Sequence, residues 1–502
     1  MLPMQITIQR HDAGAADARK PVYQQIAEQV SRAIGAGELR AGDKLPTIRA
    51  LAGQLGVNRD TVALAYDALA RERLVETTVG RGTFVRQATP RARPQRAAPP
   101  LSPLVDRLLD FERARPDYAA RDGAVPLHSL IPDPSLYPLK AFRRSLNRVL
   151  DEGGTELLSY GGHQGSAALR DVIAERLRGH DVDTGAEQLV LCQGASQGMS
   201  LAMRLYAEPG DWVAVEEPTY HNVLGVLVGL GLRPAPVPMT DDGPDLEVLE
   251  RTLARPEVRL FYTMPSFHNP LGTTTSLAHR RALLDIAARL GKPVIEDGFE
   301  MDLRYDGREV PPLAALDTSG VVVHLFSFSK SLFPGVRIGS ICARGRAVDG
   351  LLALKYTTDL SGVLVLQAAV ADFVRRGGYD RHLANLRGRL RERRDVLLAA
   401  LEEHMPQGTR WTRPEGGYQV WVDLPEDIDS RALLREAENA GVMFSPGHQF
   451  HHDGRPSTGL RLTTALADSD EIRRGIEILA RLVSTQLAAR APRVARDTSI
   501  HV

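Results

Sequence analysis

Residues 321–339 read VVVHLFSFSKSLFPGVRIG. The apolar, β-branched run from Val321 to Phe326 predicts a strand buried on both faces. It passes into a serine-rich turn that carries Lys330, and Arg337 follows seven residues later. Lysine is scarce: Lys20, Lys44, Lys140, Lys292, Lys330 and Lys355 stand against 56 arginines. Of the six, only Lys330 follows directly on an apolar strand. Burial there would disfavour the ammonium form and leave an amine able to form a Schiff base. Arg337 is placed to hold an anion.

Outward from this stretch the same pattern repeats. LVLCQGASQGM (189–199), DWVAVEEPTY (211–220), VRLFYTMP (258–265) and KPVIEDGFE (292–300) are further apolar runs, separated by helical stretches. The alternation predicts an α/β unit with a mainly parallel, helix-covered sheet, and a ligand site beyond the carboxyl ends of the strands. Polar residues collect at those ends. Gly194, Ala195 and Ser196 form a turn at a helix start, a cradle for phosphate, and Ser327 and Ser329 add hydroxyls. Asp297 closes VIED and suits a protonated pyridine nitrogen. Tyr220 can cover a ring face and Asn269 can bond a phenolic oxygen. Each signal alone is weak, since a strand-end aspartate is usually a helix cap and a glycine turn usually a plain loop. Their order carries the reading: glycine turn, aromatic, Asn-Pro, Asp, Ser-x-Ser-Lys, Arg.

The first 90 residues follow a different pattern. Val22, Ile26, Val30 and Ile34 recur every four residues, the mark of an amphipathic helix. A second helix follows Pro46 and ends at Gly56, Asn58 caps a third, and TTVGRGTFV supplies two short β-rich runs. Two helices joined by a tight turn and followed by a hairpin predict a winged helix-turn-helix. A recognition helix reads the major groove with its first residues, here Asn58, Arg59, Asp60 and Thr61; Arg49 and the wing-tip Arg81 are placed for phosphate. Residues 1–96 hold 15 Lys+Arg against 9 Asp+Glu in a chain of zero net charge, so the positive charge is local to this unit. A protein-binding three-helix module with solvated arginines is the bland alternative.

Residues 86–100, RQATPRARPQRAAPP, hold four arginines and four prolines and no acid, so a linker is expected. The expected domains are 19–87 for DNA binding, 88–122 as linker, 123–488 as the α/β unit and 489–502 as a frayed tail. No apolar run approaches the roughly 18 residues of a membrane span. Two cysteines without CxxC spacing exclude a disulfide framework and a cysteine zinc site, and a cytoplasmic location is expected. No metal is expected: His451 and His452 have no suitably spaced carboxylate and read as a solvated pair. The run RLRERRD (389–395) reads as the exposed face of a long helix.

Two family resemblances organise these residues. KLPTIRALA, GVNRDTV and GRGTFV resemble the GntR-type winged-helix domain, with Arg73 standing where that family usually has glycine. The ordered motifs across roughly 125–487 resemble the fold-type I, pyridoxal 5′-phosphate-dependent aminotransferases. That resemblance implies covalent cofactor attachment at Lys330, Asp297 on the pyridine nitrogen, Asn269 on the ring oxygen and Tyr220 over the ring. It also implies phosphate contacts from Gly194, Ala195, Ser196, Ser327 and Arg337, with Tyr160 reaching a neighbouring subunit's phosphate. Arg461, in GLRLTTA, matches the arginine that clamps an α-carboxylate. Phe299 departs from the usual tyrosine and removes one hydrogen bond to the ring oxygen. Together the two halves resemble the MocR subfamily of regulators. This implies a homodimeric, DNA-binding transcriptional regulator that senses pyridoxal phosphate or an amino-acid-type effector. The competing reading is a working aminotransferase that carries a DNA-binding module.

Overall fold

The computed structural model describes residues 6–8, 20–78, 82–86, 99–116, 123–425 and 428–490. The chain divides after Pro100 into two compact units.

In the first unit, α1 (Val22–Gly35), α2 (Ile48–Leu55) and α3 (Arg59–Arg71) precede a hairpin of β1 (Val75–Thr78) and β2 (Gly82–Val85). Ile26 and Val30 of α1, Leu51 of α2, and Val62 and Leu69 of α3 share one core with Val75 and Val85 of the wing. The boundaries follow from capping. Thr47 Oγ1 accepts from the Ala50 N–H at 3.2 Å, Gly56 closes α2 at φ +63°, and Asn58 Oδ1 accepts from the Asp60 N–H at 3.3 Å. Arg73 takes φ +59° just before β1, so the turn into the wing keeps the conformation that glycine adopts freely. An L residue there costs about 1 kcal/mol or more.

The second unit begins with α4 (Pro103–Arg113), inside the stretch expected to be linker. Ser102 caps it with Pro103 in its first turn, and Leu108 and Phe111 face a neighbouring helix, which is why a proline-rich approach gives way to a helix. An eight-stranded sheet follows, built from β3 (Leu189–Cys192), β4 (Trp212–Glu217), β5 (Arg233–Thr240), β6 (Gly243–Pro244), β7 (Val258–Thr263), β8 (Val294–Asp297), β9 (Val322–Ser327) and β10 (Gly339–Cys342). Its order is β3-β10-β9-β8-β7-β4-β5-β6. The five strands β9, β8, β7, β4 and β5 pair in parallel, while β10 runs antiparallel to both its neighbours and β6 antiparallel to β5. Both cysteines lie buried in it, Cys192 on β3 and Cys342 on β10.

A smaller four-stranded antiparallel sheet lies C-terminal, with β11 (Arg410–Trp411), β12 (Gln419–Asp423), β13 (Ser445–Pro446) and β14 (Gly459–Thr463) in the order β11-β12-β14-β13. The long helix Gly378–His404 departs from expectation. Its Arg393 and Arg394 are each only 7% exposed. Arg393 binds Asp133 at 2.6 Å and the Ala465 carbonyl, and Arg394 binds the Pro414 carbonyl and Asp306. These guanidiniums are buried because carbonyls and carboxylates distant in sequence satisfy them. Among the described residues no helix is long and apolar enough to cross a membrane.

Candidate cofactor site and DNA-reading face

The carboxyl ends of β8 and β9 meet the loop after β7 and strand β14 of the smaller sheet. Asp297 ends β8 and is 1% exposed. Tyr262, on the neighbouring β7, donates its hydroxyl to Asp297 Oδ2 at 2.7 Å, while Oδ1 is buried without a hydrogen bond. Burial pushes the Asp297 carboxyl up to about 6, against the lowering effect of that bond. Asn269 lies in the HNP turn; its Oδ1 accepts from Arg461 Nη1 at 2.9 Å and its Nδ2 is buried without a partner. Arg461 comes from β14, and its Nη2 also donates to the His128 carbonyl and to Ser445 Oγ, both at 3.0 Å. A guanidinium held in a fixed fork beside a buried amide suits a carboxylate.

Lys330 extends from the turn after β9 and donates its Nζ to the Leu130 carbonyl at 2.6 Å. Its own carbonyl accepts the Tyr418 hydroxyl at 2.7 Å. Burial lowers the amine from the usual lysine range, and the charge of Glu300 opposes that shift. Glu300 is 1% exposed and burial raises its carboxyl. Sequence reading passed over Glu300, Tyr262 and the Leu130 carbonyl. The only signal for Glu300 was its position beside the unusual Phe299.

At the start of helix α5 (Ala195–Tyr206), Gly194 has φ +78°, and a Cβ there would sit 2.7 Å from Arg337 Nη2. Arg337 itself lies over the turn, donating to the Gln193 carbonyl at 3.1 Å. The positive φ favours glycine at this turn, which brings a guanidinium to the N–H end of a helix, with Ala195 half-buried and Ser196 exposed on the same turn. Ser327 Oγ, at the end of β9, accepts from the Ser329 N–H at 3.1 Å. Tyr220 precedes helix α6 (His221–Leu230), and its ring lies parallel to that of Phe299 at 6.4 Å. Burial, with Asp297 nearby, holds the Tyr220 phenol up to about 12, so it keeps its proton. Tyr160 stands apart, 77% exposed.

His451 is half-buried and His452 exposed, and both meet a carboxylate that their spacing in the chain did not show. Glu217, at the end of β4, meets His451 Nδ1 at 2.8 Å, His452 Nδ1 at 3.3 Å and Arg455 Nη2 at 3.2 Å, all on one oxygen. The carboxylate is 234 residues away from His451, so sequence spacing could not show it. Glu217, His452 and Asp453 offer ligand atoms within 4.8 Å of one another. The guanidinium on the same Glu217 oxygen opposes a cation there, and the cluster reads as an ion-pair latch.

On the first unit, Asn58, Arg59 and Asp60 are exposed on the opening turn of α3, with Thr61 half-buried and Arg49 exposed on α2. Arg81 lies outside the described residues.

A winged helix followed by an α/β unit with a strand-end lysine, aspartate and arginine defines a DNA-binding protein with an aminotransferase-type ligand domain. Residues 22–85 match the family model of bacterial regulatory proteins of the gntR family, and residues 132–479 match aminotransferase class I and II. The chain is 33% identical over 473 residues, 92% of its length and 94% of the relative's, to the probable rhizopine catabolism regulatory protein MocR of Rhizobium meliloti. It is also 33% identical to aromatic-amino-acid aminotransferase 1 of Thermococcus litoralis, over 71% of this chain and 87% of that one. Among solved structures, the multiple substrate aminotransferase of Thermococcus profundus matches with a TM-score of 0.70 and 30% identity, over 78% of this chain and 96% of that one. The chain belongs to the MocR-type regulators, GntR winged helices joined to an aminotransferase class I and II domain. The cofactor of that domain's family is pyridoxal 5′-phosphate. The site fits it: Asp297 Oδ1 and Asn269 Nδ2 are buried polar atoms awaiting a partner, and the Gly194 turn with Arg337 forms an anion cradle.

Proposed function

We propose that this chain is a transcriptional regulator whose large unit holds pyridoxal phosphate and answers to an amino-acid-type effector. The observation that carries the reading is the Asn269–Arg461 hydrogen bond, the buried Asp297 carboxyl and a Lys330 amine that feels the charge of Arg461, in the same chain as an exposed recognition-helix start. Lys330 serves as the covalent anchor, Asp297 as partner of the pyridine nitrogen, Asn269 as partner of the ring oxygen, and Tyr220 as the ring cover. Gly194, Ala195, Ser196, Ser327 and Arg337 hold the phosphate. Arg461 takes the effector's carboxylate, and Tyr160, exposed in this chain, serves the equivalent site of a second copy in a homodimer. Asn58, Arg59, Asp60 and Thr61 face base edges, with Arg49 and Arg81 on phosphates of double-stranded DNA. The DNA-binding domain spans 19–87, the cofactor domain 123–488 and the tail 489–502, and within the connection 88–122 helix α4 belongs to the larger unit.

When bound, the cofactor supplies an aldehyde for amines and an electron sink. The chain's own part begins with Lys330: its lowered basicity keeps a larger share of neutral amine for attachment. Asp297, ionised, stabilises a protonated ring nitrogen, which offsets the cost of its burial. Effector exchange at Lys330 can shift the large unit between two states only by as much as it prefers one.

The test is the visible absorbance of the purified full chain with added pyridoxal phosphate, beside Lys330→Ala. A band in the native chain that the variant lacks supports the reading; no band in either overturns it. Intact Lys330, Asp297 and Arg461 also favour a second reading, a competent aminotransferase. Catalytic turnover of amino donors would select it, and a spectral response without turnover selects the sensor.

A further inference from the structure

Tyr220 is held by a chain of hydrogen bonds that starts outside the cofactor pocket. Its hydroxyl oxygen accepts from Asn222 Nδ2 at 2.7 Å, and Asn222 Oδ1 accepts from Arg115 Nη2 at 3.0 Å. Arginine only donates, so Arg115 fixes which way the Asn222 amide faces and turns its nitrogen to the phenol. Arg115 Nε also donates to His221 Nε2. The His221 proton must then sit on Nδ1, which donates to the Gln449 carbonyl at 2.9 Å. Burial, assisted by the charges of Arg115 and Arg461, lowers His221 to about 4, so the ring stays neutral and can bridge in this way.

Arg115 follows α4 by two residues, and α4 is seated on α6. The Phe111 ring stacks on His221 at 4.8 Å and 11°. Phe111 Cε1 comes within 3.0 Å of where a Cβ on Gly225 would be, and Leu108 lies 3.7 Å from the same point on Gly229. Gly225 makes the room that Phe111 fills, and at Gly229 Leu108 would meet an added Cβ only at ordinary van der Waals distance. Arg115 also pairs with Glu112 at 3.0 Å and lies over the Phe111 ring. From the other side, the Thr219 N–H donates to the Phe450 carbonyl at 2.8 Å, and Glu217 meets His451, His452 and Arg455. Residues 217–222 are therefore clamped between α4 and the 449–455 loop, with Tyr220 in the middle.

We propose that Arg115 is a positioning residue for Tyr220, and that through it occupancy of the cofactor pocket sets how firmly α4 is seated. In chain order α4 is the first described helix after the wing, so this seat lies on the covalent route between pocket and DNA-binding unit. The inference rests on the reading of Tyr220 as the ring cover. Coupling of this kind is reciprocal: whatever seats α4 raises affinity for the cofactor by the factor with which the cofactor seats α4.

The experiment uses the full chain with pyridoxal phosphate as probe and two readouts. Titration of the visible band gives affinity, and hydrogen exchange across residues 103–116, with and without pyridoxal phosphate, gives the seating of α4. Native chain should show slower exchange there when loaded. Arg115→Ala should bind roughly 5-fold more weakly or worse, with Arg115→Lys intermediate because an ammonium keeps a donor but loses the fork. Asn222→Ala leaves Phe111 and Arg115 on His221, so α4 stays seated but its exchange should no longer respond to the cofactor. Equal affinity in all variants, or exchange across 103–116 indifferent to cofactor in the native chain, overturns the proposal while leaving the cofactor site standing. Absence of any band in the native chain overturns both.

Discussion

At the opening of α3, Asn58, Arg59 and Asp60 stand exposed on a single helical turn. Arg461 and Asn269, by contrast, are buried, touch at 2.9 Å and lie 192 residues apart in the chain. The first arrangement offers hydrated, mobile-ended groups to a polyanion, whose attraction needs no desolvation in advance. The second strips water from carboxyl, amine and guanidinium groups before any ligand arrives, and burial moves the Asp297 carboxyl up and the Lys330 amine down. Reading DNA asks for groups that remain available; covalent capture of a cofactor asks for groups that are pre-arranged.

The sharpest way to break this comparison is to destroy one unit alone. Leu69 is fully buried in the winged-helix core. Leu69→Ala should destabilise that unit by about 2–5 kcal/mol, abolishing DNA binding near its melting point while the pyridoxal phosphate band persists. Loss of both together in a denaturation series would show that the units fold as one.

The next effect is a pH dependence peculiar to the buried site. Asp297 is raised from 3.8 to about 6 in the fold. Between those values the folded chain holds a proton the unfolded chain has released, so cofactor-free stability falls as pH rises through that window. Asp297→Asn should flatten this slope and stabilise the cofactor-free chain above pH 6 by about 1–3 kcal/mol, read by urea unfolding at several pH values. Asp302, whose carboxyl His180 and Arg176 hold well below the usual range, acts in the opposite sense but only under more acidic conditions.

On the exposed side, Arg59→Ala should cost about 1–3 kcal/mol on a preferred DNA site if it reads a base edge. Arg49→Ala should weaken all sequences equally and flatten the salt dependence, as a phosphate contact does. Binding isotherms on matched and scrambled duplexes separate the two. The smallest effect is expected at Phe299, where Phe299→Tyr restores a hydroxyl near the ring site. Cofactor binding should survive while the pH titration of its absorbance moves by roughly one unit or less; an unmoved titration would deny Phe299 any influence.

How much of this was legible follows the same division. The winged helix could be read from adjacent residues because its caps and core spacing are local: Asn58 bonds two residues on, and Gly56 ends its own helix. The order of motifs along β3 to β10 likewise gave the α/β fold, since each strand end announces itself. Pairings across long separations stayed hidden. Lys330 resting on the Leu130 carbonyl spans 200 residues, and Arg393 on Asp133 spans 260. An arginine-rich run looks solvated until the acceptors that bury it are known. Helix α4 was concealed by its neighbours, because the proline- and arginine-rich approach masked a capped amphipathic segment of 11 residues.

The central claim is that the buried site controls the exposed one. It is tested most directly by selecting a duplex from a random pool with the full chain, then measuring its Kd at one fixed salt concentration with and without pyridoxal phosphate. The account predicts a difference of roughly 5-fold or more, in either direction, that vanishes in Lys330→Ala. Equal affinities in the native chain, with the visible band present, would contradict it.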